Sequence, residues 1–143
     1  MGEEVKLFEE ELTKFFSRNV VCVTNGTAAL QLSIQAVNIK EDDEILIQSL
    51  TYLASVQAIA ANKAKPVFCD VYPETLTIDL NDAEKKLTNK TRAIMPVHYA
   101  GGVGDLNELY KFAELNGLRV IEDSAHAFAV SYTHLTLPTN ACV

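Results

Sequence analysis

Short apolar segments, largely without polar alternation and separated by helical stretches, constrain this chain more than any other feature. Val20–Val23, Ile45–Ile47, Pro66–Cys69, Ala93–Met95 and Leu118–Ile121 read as strands with both faces apolar. Such strands belong in a parallel sheet covered on each side by helices. The intervening stretches supply them. Val5, Phe8, Leu12 and Phe15 recur at helical spacing, with Glu9 to Glu11 expected on the wet side. Helices are also expected from Ala28 to about Val37, from Leu53 to Ala61, and from Leu80 to Leu87 with Asn81 or Asp82 as cap. A last helix begins near Asp105 and stops at Asn116-Gly117. The fold class is α/β, a mainly parallel sheet with helices on both faces.

Charge narrows the partners. The chain carries 12 Lys+Arg against 19 Asp+Glu, a net charge of −7. Neither nucleic acid nor an anionic membrane surface suits such a balance, since both call for clustered cations. The three cysteines, Cys22, Cys69 and Cys142, are widely spaced, which fits free thiols in a reducing compartment. Met1-Gly2-Glu3-Glu4 is acidic and unlike a signal peptide, so a cytoplasmic location is expected. The final stretch, 130–143, departs from the rest: it contains no Asp, Glu, Lys or Arg and shows neither helical nor strand period.

Two junctions could carry chemistry. Asn25-Gly26-Thr27-Ala28-Ala29 lies between a strand and a helix, where unpaired N–H groups can hold a phosphate. The same residues also read as a plain turn with Thr27 as helix cap. Glu122-Asp123-Ser124-Ala125-His126 follows the last strand, on the edge where parallel sheets bind ligands. There Asp123 can pair with a cationic ring nitrogen or cap a following turn, and His126 can face the same pocket or bond a carbonyl. Tyr52 also follows a strand end.

Two rival patterns share the chain. Gly102-Val103-Gly104, followed by a helix, a strand and an acid at Glu122 or Asp123, imitates half of a dinucleotide-binding unit. Its third glycine would fall at Asn107. His98, Asp123 and His126 form a conceivable but loosely spaced metal set, and no metal is expected.

Taken in order, the motifs resemble the DegT/DnrJ/EryC1/StrS family of pyridoxal-phosphate-dependent sugar aminotransferases. The resemblance spans about Gly2 to Ala129. It rests on Asn25-Gly26-Thr27-Ala28-Ala29-Leu30, Ser49-Leu50-Thr51-Tyr52, Pro66-Val67-Phe68 with Asp70-Val71, and Lys90-Thr91-Arg92-Ala93-Ile94. Pro96-Val97-His98-Tyr99-Ala100-Gly101 and Ile121-Glu122-Asp123-Ser124-Ala125-His126 complete it.

That resemblance implies residues 1–129 are the N-terminal part of a fold-type-I large domain. It implies that Thr27 and Ala28 hold the phosphate of pyridoxal 5'-phosphate and that Tyr52 stacks on its ring. Asp123 would pair with the pyridine nitrogen as the catalytic carboxylate, and His126 would sit near the phenolic oxygen. The implied activity moves an amino group from an amino acid, glutamate by expectation, to a nucleotide-linked keto-sugar, in a homodimer. None of the nine lysines matches the family's Schiff-base lysine, so the chain as given is expected to be inactive. The alternatives are a dinucleotide-dependent sugar-modifying enzyme and a lysine-free binding module. Residues 130–143 resemble translated sequencing-adapter sequence and no part of that family.

Overall fold

A computed structural model of the chain describes residues 2–127 and the backbone of 141–142. Helix α1 (Glu3–Phe16) precedes α2 (Gly26–Ala36), β1 (Glu44–Gln48), α3 (Leu53–Ala61) and β2 (Lys65–Cys69). Then follow α4 (Leu80–Lys85), β3 (Thr91–Met95), a 3₁₀ turn (Tyr99–Gly101), α5 (Leu106–Leu115), β4 (Arg119–Glu122) and β5 (Ala141–Cys142). All strand pairs are parallel, in the order β2-β1-β3-β4-β5. The expected division at 129/130 falls outside the described residues, except that Ala141 and Cys142 pair with Ile121 and Glu122.

Crossover geometry explains which helix covers which face. The chain steps from β1 out to β2, then back past β1 to β3 and on to β4. Right-handed crossovers send a helix to opposite faces when the stepping direction reverses. Accordingly α3 lies on one face with α2, and α4 and α5 lie on the other. Strand parity divides the side chains between the two layers. Ile45, Ile47, Ala93, Met95 and Ile121 pack with Leu30 and Ile34 of α2 and Ala58 and Ile59 of α3. Leu46, Ile94 and Val120 pack with Leu80, Ala83, Leu106, Leu109 and Ala113. Each fully buried Ile or Leu contributes about 1.5–3 kcal/mol from apolar burial.

Several local expectations need correction. Val20–Val23 forms no strand and joins no ladder. The N–H of Val20 donates to Thr13 Oγ1 at 3.1 Å and that of Cys22 to Glu9 Oε1 at 2.7 Å, so α1 side chains take the place of a partner strand. Glu9 is therefore half-buried, not on a wet face. The cap of α4 is Asp79, whose carboxylate accepts from the N–H groups of Asn81 and Asp82. Asp82 is engaged elsewhere, on the N–H of Asp70 at 2.8 Å and on Lys86. Helix α2 begins two residues early because Asn25, not Thr27, caps it.

Gly104 shows how tightly the α5 entry is packed. It has φ +48°, and an added Cβ would lie 2.9 Å from Thr77 Oγ1. Gly104→Ala combines left-handed strain with a clash. It is expected to lose about 1–3 kcal/mol in chemical denaturation; an unchanged midpoint would show that the loop repacks freely.

Burial pushes the Cys69 thiol up from 9.0 to about 11. A raised folded-state value means this group's stabilisation is complete below pH 9 and fades as pH climbs toward 11. Urea denaturation at stepped pH should show a shallower decline across that window in Cys69→Ala than in the wild type. Parallel declines would mean that the thiol does not titrate with unfolding.

Candidate cofactor site

Strand parity also sorts the acids at the end of β4. Glu122 turns toward the α5 layer, where its carboxylate meets Tyr110 Oη and, at 2.8 Å, His98 Nε2. Asp123, one residue on, turns toward the α3 layer. Its Oδ2 accepts from Ser55 Oγ at 2.8 Å and its Oδ1 from the Ala125 N–H at 3.3 Å. The backbone fixes the same point: the Asp123 N–H donates to Pro96 O and the His98 N–H to Asp123 O, both at 3.0 Å. Asp123 is buried, yet it stands at the carboxyl edge of the sheet.

The α2 N-terminus faces the same layer, since Leu30 and Ile34 share a core with Ala58, Ile59 and Ile121. Asn25 Oδ1 accepts the Ala28 N–H at 2.9 Å, and Asn25 O accepts the Ala29 N–H at 3.1 Å. The expected donor at Ala28 is thus engaged by the cap, which leaves the N–H groups of Gly26 and Thr27 for a ligand. No acid stands in that first turn, so its positive end is not neutralised.

Tyr52 is the residue preceding α3 and is 79% exposed. A ring so open at a sheet edge is available for stacking. Three residues later comes Ser55, so α3 ties Tyr52 to Asp123. His126 lies beside the 3₁₀ turn, its ring centroid 6.2 Å from that of Tyr99. The Ala100 N–H donates to His126 Nδ1 at 3.3 Å. A backbone N–H can only donate, so Nδ1 carries the lone pair and the neutral ring's proton sits on Nε2. Ala100 reaches this position with φ +52°, a conformation costing about 1–2 kcal/mol for a residue with a Cβ.

The rival patterns fare differently. Asp105 caps α5 by accepting the Glu108 N–H at 3.0 Å, and Glu108 adds a second carboxylate in the first turn. Two acids at that helix end repel a pyrophosphate, and Gly104 serves close packing against Thr77. The Gly102-Val103-Gly104 loop is therefore a packing turn. His98, Asp123 and His126 are held apart by separate partners: Glu122, Ser55 and the Ala100 N–H. A pocket of about 270 Å³ opens on the other layer, lined by Gln48, Tyr72, Thr77, His98 and Asp105 among others, and contains none of the five expected site residues.

Sequence reasoning singled out neither Ser55 nor Tyr110, gave Thr51 no role of its own, and did not join Glu122 to His98. Ser55 carried a signal: it is a hydroxyl in the otherwise apolar start of α3, four residues after Thr51.

Lys63 and Lys65 pair with Glu41 and Asp42 at the opposite end of β2, Lys14 with Glu11, and Lys86 with Asp82. Lys86, which follows α4, reaches the carboxyl end of β2, where its Nζ donates to Phe68 O at 2.7 Å. Among the described residues no helix is long and apolar enough to cross a membrane.

Comparison with known proteins finds sugar aminotransferases among both the curated relatives and the solved structures. GDP-perosamine synthase of Escherichia coli O157:H7 is 42% identical over 135 residues, covering 92% of this chain and 36% of that protein. The dTDP-4-dehydro-2,3,6-trideoxy-D-glucose 4-aminotransferase of Saccharopolyspora spinosa is 37% identical, with 92% and 35% covered. The chain thus spans about a third of the length of the curated relatives it matches. Among solved structures, NtdA of Bacillus subtilis with bound cofactor PMP superposes with TM-score 0.89 at 27% identity, over 92% of this chain and 30% of that one. The putative sugar aminotransferase Spr1654 of Streptococcus pneumoniae in its PMP form gives 0.84 at 30% identity, with 89% and 36% covered. The fold is that of the fold-type-I pyridoxal-phosphate-dependent aminotransferases. The family model of the DegT/DnrJ/EryC1/StrS aminotransferases matches residues 1–137, and the chain belongs to that family.

Proposed function

We propose that this chain forms the cofactor-holding part of a sugar aminotransferase that uses pyridoxal 5'-phosphate. The observation that carries the reading is Asp123, a buried carboxylate at the carboxyl edge whose oxygens each accept one bond and retain a second lone pair. The surrounding residues fit the cofactor's parts. The Gly26 and Thr27 N–H groups and the Thr27 hydroxyl would take the phosphate, with Ala28 held back by Asn25. Tyr52 would stack on the ring, and the Nε2–H of His126 would donate to the phenolic oxygen. Asp123 would hold a proton at the ring nitrogen. When bound, the cofactor supplies a ring that withdraws electrons and carries the amino group between donor and acceptor.

The proposed reaction moves that group from an amino acid such as glutamate to a nucleotide-linked keto-sugar; the names of the relatives support the nucleotide-linked sugar, and the donor is carried over from the family resemblance alone. We further propose that the complete enzyme is longer, works as a homodimer, and supplies the lysine that holds the cofactor covalently. The last point is carried by the sequence resemblance, in which none of the nine lysines falls at a position matching the family's Schiff-base lysine. The proposed division at Ala129 rests on the loss of charge beyond it, although the family match runs on to residue 137.

Pyridoxamine 5'-phosphate and NAD⁺, titrated separately into the 143-residue chain, test this reading by amide chemical shifts. Pyridoxamine phosphate should move resonances at 26–28, 52, 123 and 126. Asp123→Asn should weaken its binding about tenfold to a hundredfold, since a charge-assisted hydrogen bond contributes about 1.5–3 kcal/mol. Shifts produced by NAD⁺ at the Gly102–Gly104 loop, with none from pyridoxamine phosphate, would refute the proposal.

Pyridoxal phosphate followed by borohydride should leave no adduct confined to one lysine. A single trapped lysine together with amino transfer to a keto-sugar would show that this chain holds a complete site.

A further inference from the structure

Ser55 sits in the first turn of α3, fully buried, so its hydroxyl needs a partner within the protein. A helical serine satisfies its hydroxyl with solvent or with the carbonyl four residues back. Ser55 instead donates across the layer to Asp123 Oδ2, 68 positions further along the chain, at 2.8 Å. The residue four back, Thr51, presents its hydroxyl: Thr51 Oγ1 lies 2.9 Å from Ser55 Oγ.

Counting protons settles the direction. Each hydroxyl carries one hydrogen. Ser55 gives its own to Asp123, so between Thr51 and Ser55 the donor is Thr51. Its alternative acceptor, Tyr52 O, is 3.4 Å away and poorer. A directed chain results, from Thr51 through Ser55 to the carboxylate, and Thr51 and Ser55 flank Tyr52 in sequence.

From this we infer that Ser55, backed by Thr51, is a positioning residue that locks the Asp123 carboxylate in the rotamer and plane needed to meet a ring nitrogen, and couples that plane to the start of α3 where Tyr52 stands. The Ala125 N–H bond is longer, at 3.3 Å, and comes from the exposed turn that follows β4, only two residues from Asp123 itself. Ser55 comes from a packed helix, so it is the stiffer of the two restraints. The role assigned to Ser55 rests on the pairing of Asp123 with the cofactor ring proposed above. The rotamer lock itself does not.

The test uses the labelled 143-residue chain as wild type, Ser55→Ala, Ser55→Thr, Thr51→Val and Asp123→Asn. In the ligand-free protein, three-bond couplings report the χ1 rotamer of Asp123. One rotamer is expected in the wild type and Ser55→Thr, averaging in Ser55→Ala, and partial averaging in Thr51→Val. With pyridoxamine 5'-phosphate as probe, Ser55→Ala should bind about threefold to tenfold more weakly, Thr51→Val about twofold to threefold, and Ser55→Thr nearly as wild type. A single Asp123 rotamer retained in Ser55→Ala would overturn the inference. Should Ser55→Ala fail to fold, Thr51→Val decides in the same way. If Asp123→Asn leaves probe binding unchanged while Ser55→Ala still averages the rotamer, the ring pairing fails and the lock stands.

Discussion

Strand β4 ends on two adjacent carboxylates, and the two-residue period of a strand sends them into opposite layers. Glu122 enters the α5 layer and is satisfied by His98 and Tyr110; Asp123 enters the α3 layer and is satisfied by Ser55. Neither placement would survive a one-residue slip of β4 against β3, because the slip would exchange the two faces. Register is therefore the quantity on which the edge depends. It is held by the Ala93–Arg119 and Ile94–Val120 pairs and by the bridge between Val97 and Asp123.

The polar groups at this edge are buried at a cost that their bonds must offset. A hydroxyl or carboxylate left unpaired in such a layer costs on the order of 1–3 kcal/mol or more. Among the described residues no buried side-chain nitrogen or oxygen lacks a partner. The two clusters thus act as separate anchors on one peptide segment. Glu122–His98 ties the loop after β3 to β4 from one side, and Ser55–Asp123 ties α3 to β4 from the other. Between them the 98–101 loop is drawn into the left-handed turn at Ala100 that offers its N–H to His126. Strain in that turn is affordable because both flanks are fixed.

Much of this was legible in the residues. The α/β class and the sheet's parallel sense followed from apolar strands, and α3 matched its expected span because nothing in Leu53–Ala61 competes with helix. Errors fell where a choice depended on a partner distant in sequence. Val20–Val23 has strand composition, but a strand is a pairing, and here the N–H groups found Glu9 and Thr13 instead. Asp79 won the α4 cap over Asp82 because Asp82 was already drawn to the Asp70 N–H. At the site, Asp123 could be singled out from its place after a strand. Ser55 could not be given a role until the fold brought α3 against β4.

The openness of the candidate site has a physical counterpart elsewhere on the chain. Tyr52 and Leu53 are exposed, and so are Val21 and the α1 residues Leu7, Phe8 and Phe15. Helix α1 buries none of its residues among those described, and a helix of 14 residues is marginal in water without packing. Its defined ties to the rest of the chain include Glu9 and Thr13 bonding the backbone of Cys22 and Val20, beside a half-buried stripe of Val5, Leu12 and Phe16. By contrast α2 and α3, which carry the termini proposed to face the cofactor, are anchored by Ile34 and Ile59 in the core. Rigidity is therefore concentrated under the residues that would meet the ring and phosphate, while the surface around them keeps its apolar side chains uncovered. A site built this way holds its polar atoms in place before a ligand arrives and gains its apolar enclosure only when something covers Tyr52.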